Sequence, residues 1–138
     1  MRSAATVEGR GPAGKARLWG PVAAWMGCLF WASSQSDIGV AARVPDTLTH
    51  GTAYLVLGLL VCRAVSGGLD GWLSIRGAAV VILVCTLYGV SDEFHQSFVP
   101  GRDASAGDVA KDFGGAALAA LAWRLASARA RAGRPGTG

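Results

Sequence analysis

The chain has 138 residues, of which 51% are apolar and only 16% are charged, and its net charge is +4. This length suits a single domain, and so few charged residues are unusual for a soluble one. The basic residues lie mainly before the first apolar segment and after the last one, and they form no continuous face. We therefore expect no nucleic-acid partner, and we expect a lipid bilayer around the chain.

Four apolar segments without charged residues follow one another. They cover residues 18–36, 47–62, 77–91 and 113–123. The first is long enough to cross a bilayer, whereas the other three have lengths more typical of buried helices in soluble proteins. Each short segment adjoins a polar turn that can continue its helix, and none shows the polar stripe of a surface helix. We predict an all-α, polytopic membrane bundle of four transmembrane helices over 18–126, flanked by disordered cytoplasmic tails at 1–17 and 127–138.

The distribution of Lys and Arg predicts the orientation of this bundle. If both termini are cytoplasmic, ten of these residues lie inside and three lie outside. An excess of Lys and Arg on the cytoplasmic side is the pattern that membrane insertion favours. The chain is therefore expected to be a multi-pass protein of the cell membrane, with both termini cytoplasmic. Its polar strings, which flank the apolar segments, then meet at the outer face.

The first polar string opens the second apolar segment. Asp46, His50 and Tyr54 are spaced at i, i+4 and i+8, so they lie on one face of a helix. Asp46 falls in the first turn, where an acidic side chain interacts favourably with the helix dipole. Helix capping explains Asp46, but it does not explain a histidine one turn deeper. A structural role for His50 at the interface is the alternative.

The second string closes the third apolar segment. Asp92 and Gln96 are spaced at i, i+4, and Glu93 directly follows Asp92. Two adjacent acids at the C-terminal end of a helix oppose its dipole and destabilise it unless they are paired. We predict that Arg102, across the Pro100-Gly101 turn, is their partner.

Asp108 and Asp112 form a third i, i+4 pair at the start of the last helix, with Lys111 between them. Carboxylates and a histidine at a membrane surface suit three tasks: binding a divalent cation, general acid–base chemistry, or a buried ion-pair network that locks the bundle. The residues leave all three open. The candidate catalytic residues are Asp46, His50, Asp92 and Glu93, and the candidate ligand-binding residues are Tyr54, Gln96, Arg102, Asp108 and Asp112.

These strings resemble the VanZ-like family of small bacterial membrane proteins. The matching residues are Asp46, His50 and Tyr54; Asp92, Glu93, Gln96, Phe98, Pro100 and Arg102; and Asp108, Asp112 and Gly115. The Ser33-Ser34-Gln35 ending of the first helix also fits, and the match extends over residues 18–123. Two positions depart from the family pattern: Thr47 stands in place of a lysine and Asp112 in place of an asparagine. Both changes make the region more acidic, which favours a cation over an anion.

The namesake of the family is associated with low-level resistance to the lipoglycopeptide teicoplanin. The resemblance implies the fold and the membrane location. Our first hypothesis for the function is a cell-envelope protein that binds or acts on a surface lipid or a peptidoglycan-related molecule, and whether it is an enzyme stays open. Two other hypotheses are a structural membrane module, whose polar cluster only locks helix packing, and a small oligomeric transporter with carboxylates along an ion path.

Overall fold

The computed structural model describes residues 11–35 and 46–133, apart from the side chains of residues 46–48. Over these residues the chain forms four helices and no strand, which confirms the all-α prediction. The helices are α1 (Pro12–Ser33), α2 (Asp46–Ser66), α3 (Ile75–Gln96) and α4 (Ala106–Ala132). Each predicted apolar segment lies within or largely within one helix.

Serine caps and a glycine turn set the ends of α3 and α4. The Oγ of Ser74 accepts the backbone N–H of Gly77, and the Oγ of Ser105 accepts that of Gly107. Each bond satisfies one of the N–H groups that the first turn of a helix leaves without a partner. Between the two helices, Gly101 has a φ of 80°, which glycine adopts at little steric cost. The last turn of α3 and the first turn of α4 are thereby brought together.

The first and last helices are longer than predicted. Residues 12–17 belong to α1 and residues 127–132 belong to α4, so these parts of the predicted disordered tails are helical. The reason is local: Ala, Arg and Lys are among the best helix formers, and Pro12 has the backbone angle that the first helical position needs. The remaining tail residues, 1–10 and 134–138, lie outside the described residues.

On α3 and α4, many of the buried residues are small, and several large apolar side chains point outwards. On α4 the buried alanines are Ala116, Ala119 and Ala120, and the leucines more than half exposed are Leu118, Leu121 and Leu125. On α3, Cys85 and Gly89 are buried while Leu83 and Leu87 are exposed. Helices of soluble proteins bury their large apolar residues, and large exposed apolar surfaces mark contact with a partner or a membrane. This arrangement fits helices with apolar surroundings.

Two of the described helices are long and apolar enough to cross a membrane. These segments are Thr49–Ser66 of α2 and Ile75–Gln96 of α3, and only 33% and 28% of them, respectively, are buried inside the protein. The central helix of a soluble protein would be mostly buried. The prediction of four helices is therefore confirmed, while two of the four predicted spans meet the length and composition of a membrane helix.

Close packing of α2 against α4 forms the centre of the bundle. A Cβ added at Gly58 of α2 would lie 2.7 Å from the Cβ of Ala119 and 3.2 Å from the Cα of Ala116. Small residues permit this approach, which is common between helices in membranes. The first helix is attached by a different means, since the Nε1 of Trp25 donates to the Ala53 carbonyl oxygen at 3.0 Å.

Candidate functional site

The polar strings of all four helices meet at one end of the bundle. Ser33, at the end of α1, reaches Asp92 on α3. His50, near the start of α2, reaches Asp112 on α4. Because the helices alternate in direction, the C-terminal ends of α1 and α3 and the N-terminal ends of α2 and α4 share this end. The structure divides the predicted residues into two groups with different degrees of hydrogen bonding.

The first group, which we call the Asp92 network, consists of Ser33, Asp92, Gln96 and Arg102. Asp92 is buried, and each of its carboxylate oxygens accepts one hydrogen bond: Oδ1 from the Ser33 hydroxyl at 2.7 Å and Oδ2 from the Gln96 amide at 3.0 Å. Arg102 Nη2 donates to Gln96 Oε1 at 2.7 Å. The network thus links α1, α3 and the α3–α4 loop, and both carboxylate oxygens of Asp92 are engaged in it.

The prediction that Arg102 pairs with the adjacent acids was wrong in its geometry. Arg102 donates to the oxygen of Gln96, and Gln96 turns its amide nitrogen to Asp92, so the guanidinium reaches the carboxylate through an intermediate. The direction of these bonds accounts for the residue types. Arginine can only donate, so Gln96 must present its oxygen to Arg102 and its N–H to Asp92, which must then be an acceptor.

The second group, which we call the Glu93 cluster, consists of His50, Glu93, Asp108 and Asp112. The Nδ1 of His50 lies 3.1 Å from Oδ1 of Asp112, which is only 1% exposed. Gly89 of α3 makes room for this carboxylate, because a Cβ at that position would lie 2.8 Å from Asp112 Oδ2. The pair fixes the orientation of the imidazole ring at the α2–α4 contact.

Glu93 is the least satisfied member of the cluster. Its Oε2 accepts the backbone N–H of Ser105 at 2.7 Å, whereas its buried Oε1 has no hydrogen-bond partner among the described residues. His50, Glu93 and Asp108 each offer a ligand atom, and these atoms all lie within 4.8 Å of one another. Lys111 Nζ binds Asp108 Oδ1 at 2.6 Å. Such a set of groups can bind a cation or transfer a proton to or from a bound molecule.

Two other predicted site residues, Tyr54 and Asp46, belong to neither group. Tyr54 is buried two helical turns along from the start of α2, and its hydroxyl has no partner among the described residues. It is therefore a second buried polar group with capacity for a hydrogen bond. The side chain of Asp46, a candidate catalytic residue, lies outside the described residues.

The sequence analysis did not predict the role of Ser105 or the contact that His95 makes. Ser105 both caps α4 and gives its N–H to Glu93, and its place three residues before Asp108 is typical of a helix start. His95 Nε2 lies 2.9 Å from the Ser34 hydroxyl, and its ring stacks on Phe30 with centroids 4.2 Å apart. No short-range pattern indicates this second contact, because it joins α1 to α3 across 61 residues.

Comparison with known proteins identifies one related group. The family described as VanZ/LLP1 matches residues 29–127, well over half of the chain. The matched region contains every residue of the Asp92 network and of the Glu93 cluster. No curated protein and no solved structure matches the chain.

Proposed function

The chain belongs to the VanZ/LLP1 family, and from this premise we propose that it binds a cell-envelope lipid or peptidoglycan-related molecule at the outer face of the cell membrane. The observation that carries the proposal is Glu93, a buried carboxylate with one oxygen that no described residue binds. A buried polar atom without a partner destabilises the folded state unless a ligand or water satisfies it. Natural proteins keep such groups mainly where they have a function.

We infer that the bundle crosses the membrane four times with both termini in the cytoplasm. The outward-facing leucines support an apolar environment. The end opposite to the polar site carries Arg63, Arg124 and Arg131, of which Arg124 and Arg131 lie over the Trp72 ring. Arginine is typical of the cytoplasmic side of a membrane protein, and tryptophan is typical of either membrane interface.

Cysteine labelling tests this orientation. Asp103 is exposed between α3 and α4, and Leu69 is exposed between α2 and α3. In intact cells, a membrane-impermeant maleimide should label an Asp103→Cys variant, while a Leu69→Cys variant should react only after lysis. The unsubstituted chain gives the background from its own three cysteines. Labelling of Leu69→Cys alone in intact cells would reverse the proposed orientation.

Arg102 is suited to an anionic group of the ligand. One of its five N–H donors engages Gln96, and this bond holds the side chain in place at the end of α3. The other donors can bind a phosphate or carboxylate, for which the planar guanidinium has a matching geometry. On this view Arg102 binds the anionic group, while Glu93 and His50 bind a cation or transfer protons.

The function is tested by drug susceptibility together with ligand binding. Bacteria that express the chain should tolerate severalfold more teicoplanin than cells with an empty vector, and His50→Ala and Glu93→Gln variants should lose this protection. Equal amounts of membrane-inserted protein are the required control. The purified wild-type protein should bind a lipid-linked peptidoglycan precursor, and the two variants should bind it more weakly. Unchanged protection by both variants at equal protein level would contradict the proposal.

The second candidate function is a structural membrane module, and the Asp92 network favours it. Both oxygens of Asp92 are satisfied within the protein, which is expected of a group that fixes helix packing. If this were the only role of the polar end, Glu93→Gln would reduce function only in proportion to its loss of folded protein. Loss of function at constant protein level distinguishes ligand binding from this alternative.

A further inference from the structure

Three helix ends bring one nitrogen and two carboxylate ligands together. His50 comes from α2, Glu93 from α3 and Asp108 from α4, and their ligand atoms lie within 4.8 Å of one another. Ligands bound tetrahedrally at about 2.0–2.2 Å from a metal ion lie about 3.4 Å apart, so small side-chain rotations would suffice to close this group around an ion. We propose that His50, Glu93 and Asp108 form a binding site for a divalent metal ion of the Zn²⁺ and Mn²⁺ class.

An independent observation points to a ligand at this position. Glu93 is 5% exposed, yet its Oε1 has no hydrogen-bond partner among the described residues. The other oxygen is held by the Ser105 N–H, which fixes the orientation of the carboxylate. A buried carboxylate is costly unless it is paired, and a divalent cation would satisfy the second oxygen. The cluster is therefore more than a group of neighbouring acids.

Asp112 prepares His50 for metal binding. With Nδ1 of His50 hydrogen-bonded to the Asp112 carboxylate, Nε2 is the ring nitrogen that would bind the ion. A carboxylate in this second position fixes the ring and raises the basicity of the ligand nitrogen, and it is typical of metal sites. Asp112 acts here as a positioning residue, since it reaches the ion through His50.

Lys111 does not prevent binding, although it is paired with Asp108. The ammonium contacts Oδ1, and a carboxylate has a second oxygen that can bind a metal. The pair is also partly exposed, at 27% for Lys111 and 15% for Asp108, so it can open at small cost. Lys111 would then limit the negative charge of the site before the ion binds.

The donor set decides the class of metal. Imidazole favours transition metals such as Zn²⁺, and carboxylates extend the range to Mn²⁺, whereas Mg²⁺ and Ca²⁺ prefer sites built from oxygen alone. Three protein ligands leave a position for water or for a ligand oxygen, as in catalytic metal sites. The metal site is a property beyond the proposed binding of an envelope molecule. Metal binding can therefore be measured in the absence of any envelope molecule.

The test measures metal bound to the purified full chain in mild detergent. Zn²⁺ and Mn²⁺ are offered separately, and bound metal is determined by elemental analysis and, for Mn²⁺, by electron paramagnetic resonance. The wild type should hold about one ion per chain, and Glu93→Gln and Asp108→Asn should each weaken the affinity by about tenfold or more. Asp112→Asn keeps an oxygen for His50 Nδ1 and should weaken binding about tenfold.

Asp103→Asn is the matched control, because Asp103 is an exposed acid of the α3–α4 loop and lies outside the cluster. It should bind metal as the wild type does. Thermal unfolding without metal checks that each variant is folded, and the partly exposed Asp108 keeps the test usable if Glu93→Gln does not fold. The metal site would be overturned if folded wild type bound no metal, or if Glu93→Gln and Asp108→Asn bound it as tightly as the wild type. Metal binding without any drug protection would retain the site and reject the envelope function.

Discussion

Replacement of Asp92 by alanine is expected to lower the free energy of unfolding by about 2–4 kcal/mol. The change removes the acceptor of the buried Gln96 amide and the nearer of the two acceptors of the Ser33 hydroxyl, which also reaches the Phe30 carbonyl oxygen at 3.0 Å, and it loosens the anchor of Arg102. Leaving buried donors without partners costs more than the net value of the bonds. Unfolding of the purified protein by heat and by denaturant in detergent measures the effect.

The neighbouring acid should behave differently. Glu93→Gln keeps an oxygen for the Ser105 N–H and removes a buried charge, so we expect stability to change by less than about 1 kcal/mol. Under the proposed division, in which Asp92 supports the fold and Glu93 supports binding, the two substitutions should therefore differ in their effect on stability. Equal loss of stability in both variants would contradict this division.

The second large effect is expected at Gly115, where alanine should destabilise the bundle by about 1–3 kcal/mol. An added Cβ would lie 2.9 Å from the Leu55 nitrogen and 3.2 Å from the Tyr54 carbonyl carbon, and it would clash with the Gly51 carbonyl oxygen. These are backbone atoms of α2, so they cannot move aside as a side chain can. The two helices must separate, and thermal unfolding should show the loss.

Gly114 is the matched control, because it is the adjacent residue of the same helix. A Cβ at Gly114 meets nothing within 4 Å, and alanine has a higher helix propensity than glycine. Gly114→Ala should therefore be neutral or stabilise the protein by up to about 1 kcal/mol. Gly115→Ala should also weaken the His50–Asp112 contact, since it separates the helices that carry these residues. Equal stability of the two variants would mean that α2 and α4 are not packed this closely.

The sequence predicted the candidate site by residue type and spacing, but it did not predict the partners. The i, i+4 spacing correctly indicated that Asp92 and Gln96 contact each other, because that contact lies within one helix turn. The partner of Arg102 was predicted wrongly, since charge complementarity favours a carboxylate whereas the loop places the guanidinium against Gln96. Asp108 and Asp112 share a helix face, yet they contact different residues, Lys111 and His50.

What the sequence determined by itself is local: the four apolar helices, and the concentration of acids and histidines at the ends of those helices. Local propensity and periodicity are properties of neighbouring residues, so they can be recognised without the fold. Only the tertiary structure decided which buried carboxylate is satisfied. Asp92 and Glu93 are adjacent in the chain, but Asp92 accepts from Ser33 and Gln96, while Glu93, near His50 and Asp108, has one oxygen without a hydrogen-bond partner among the described residues. The physical reason is that successive residues of a helix point about 100° apart, so their surroundings depend on which helices pack on each side.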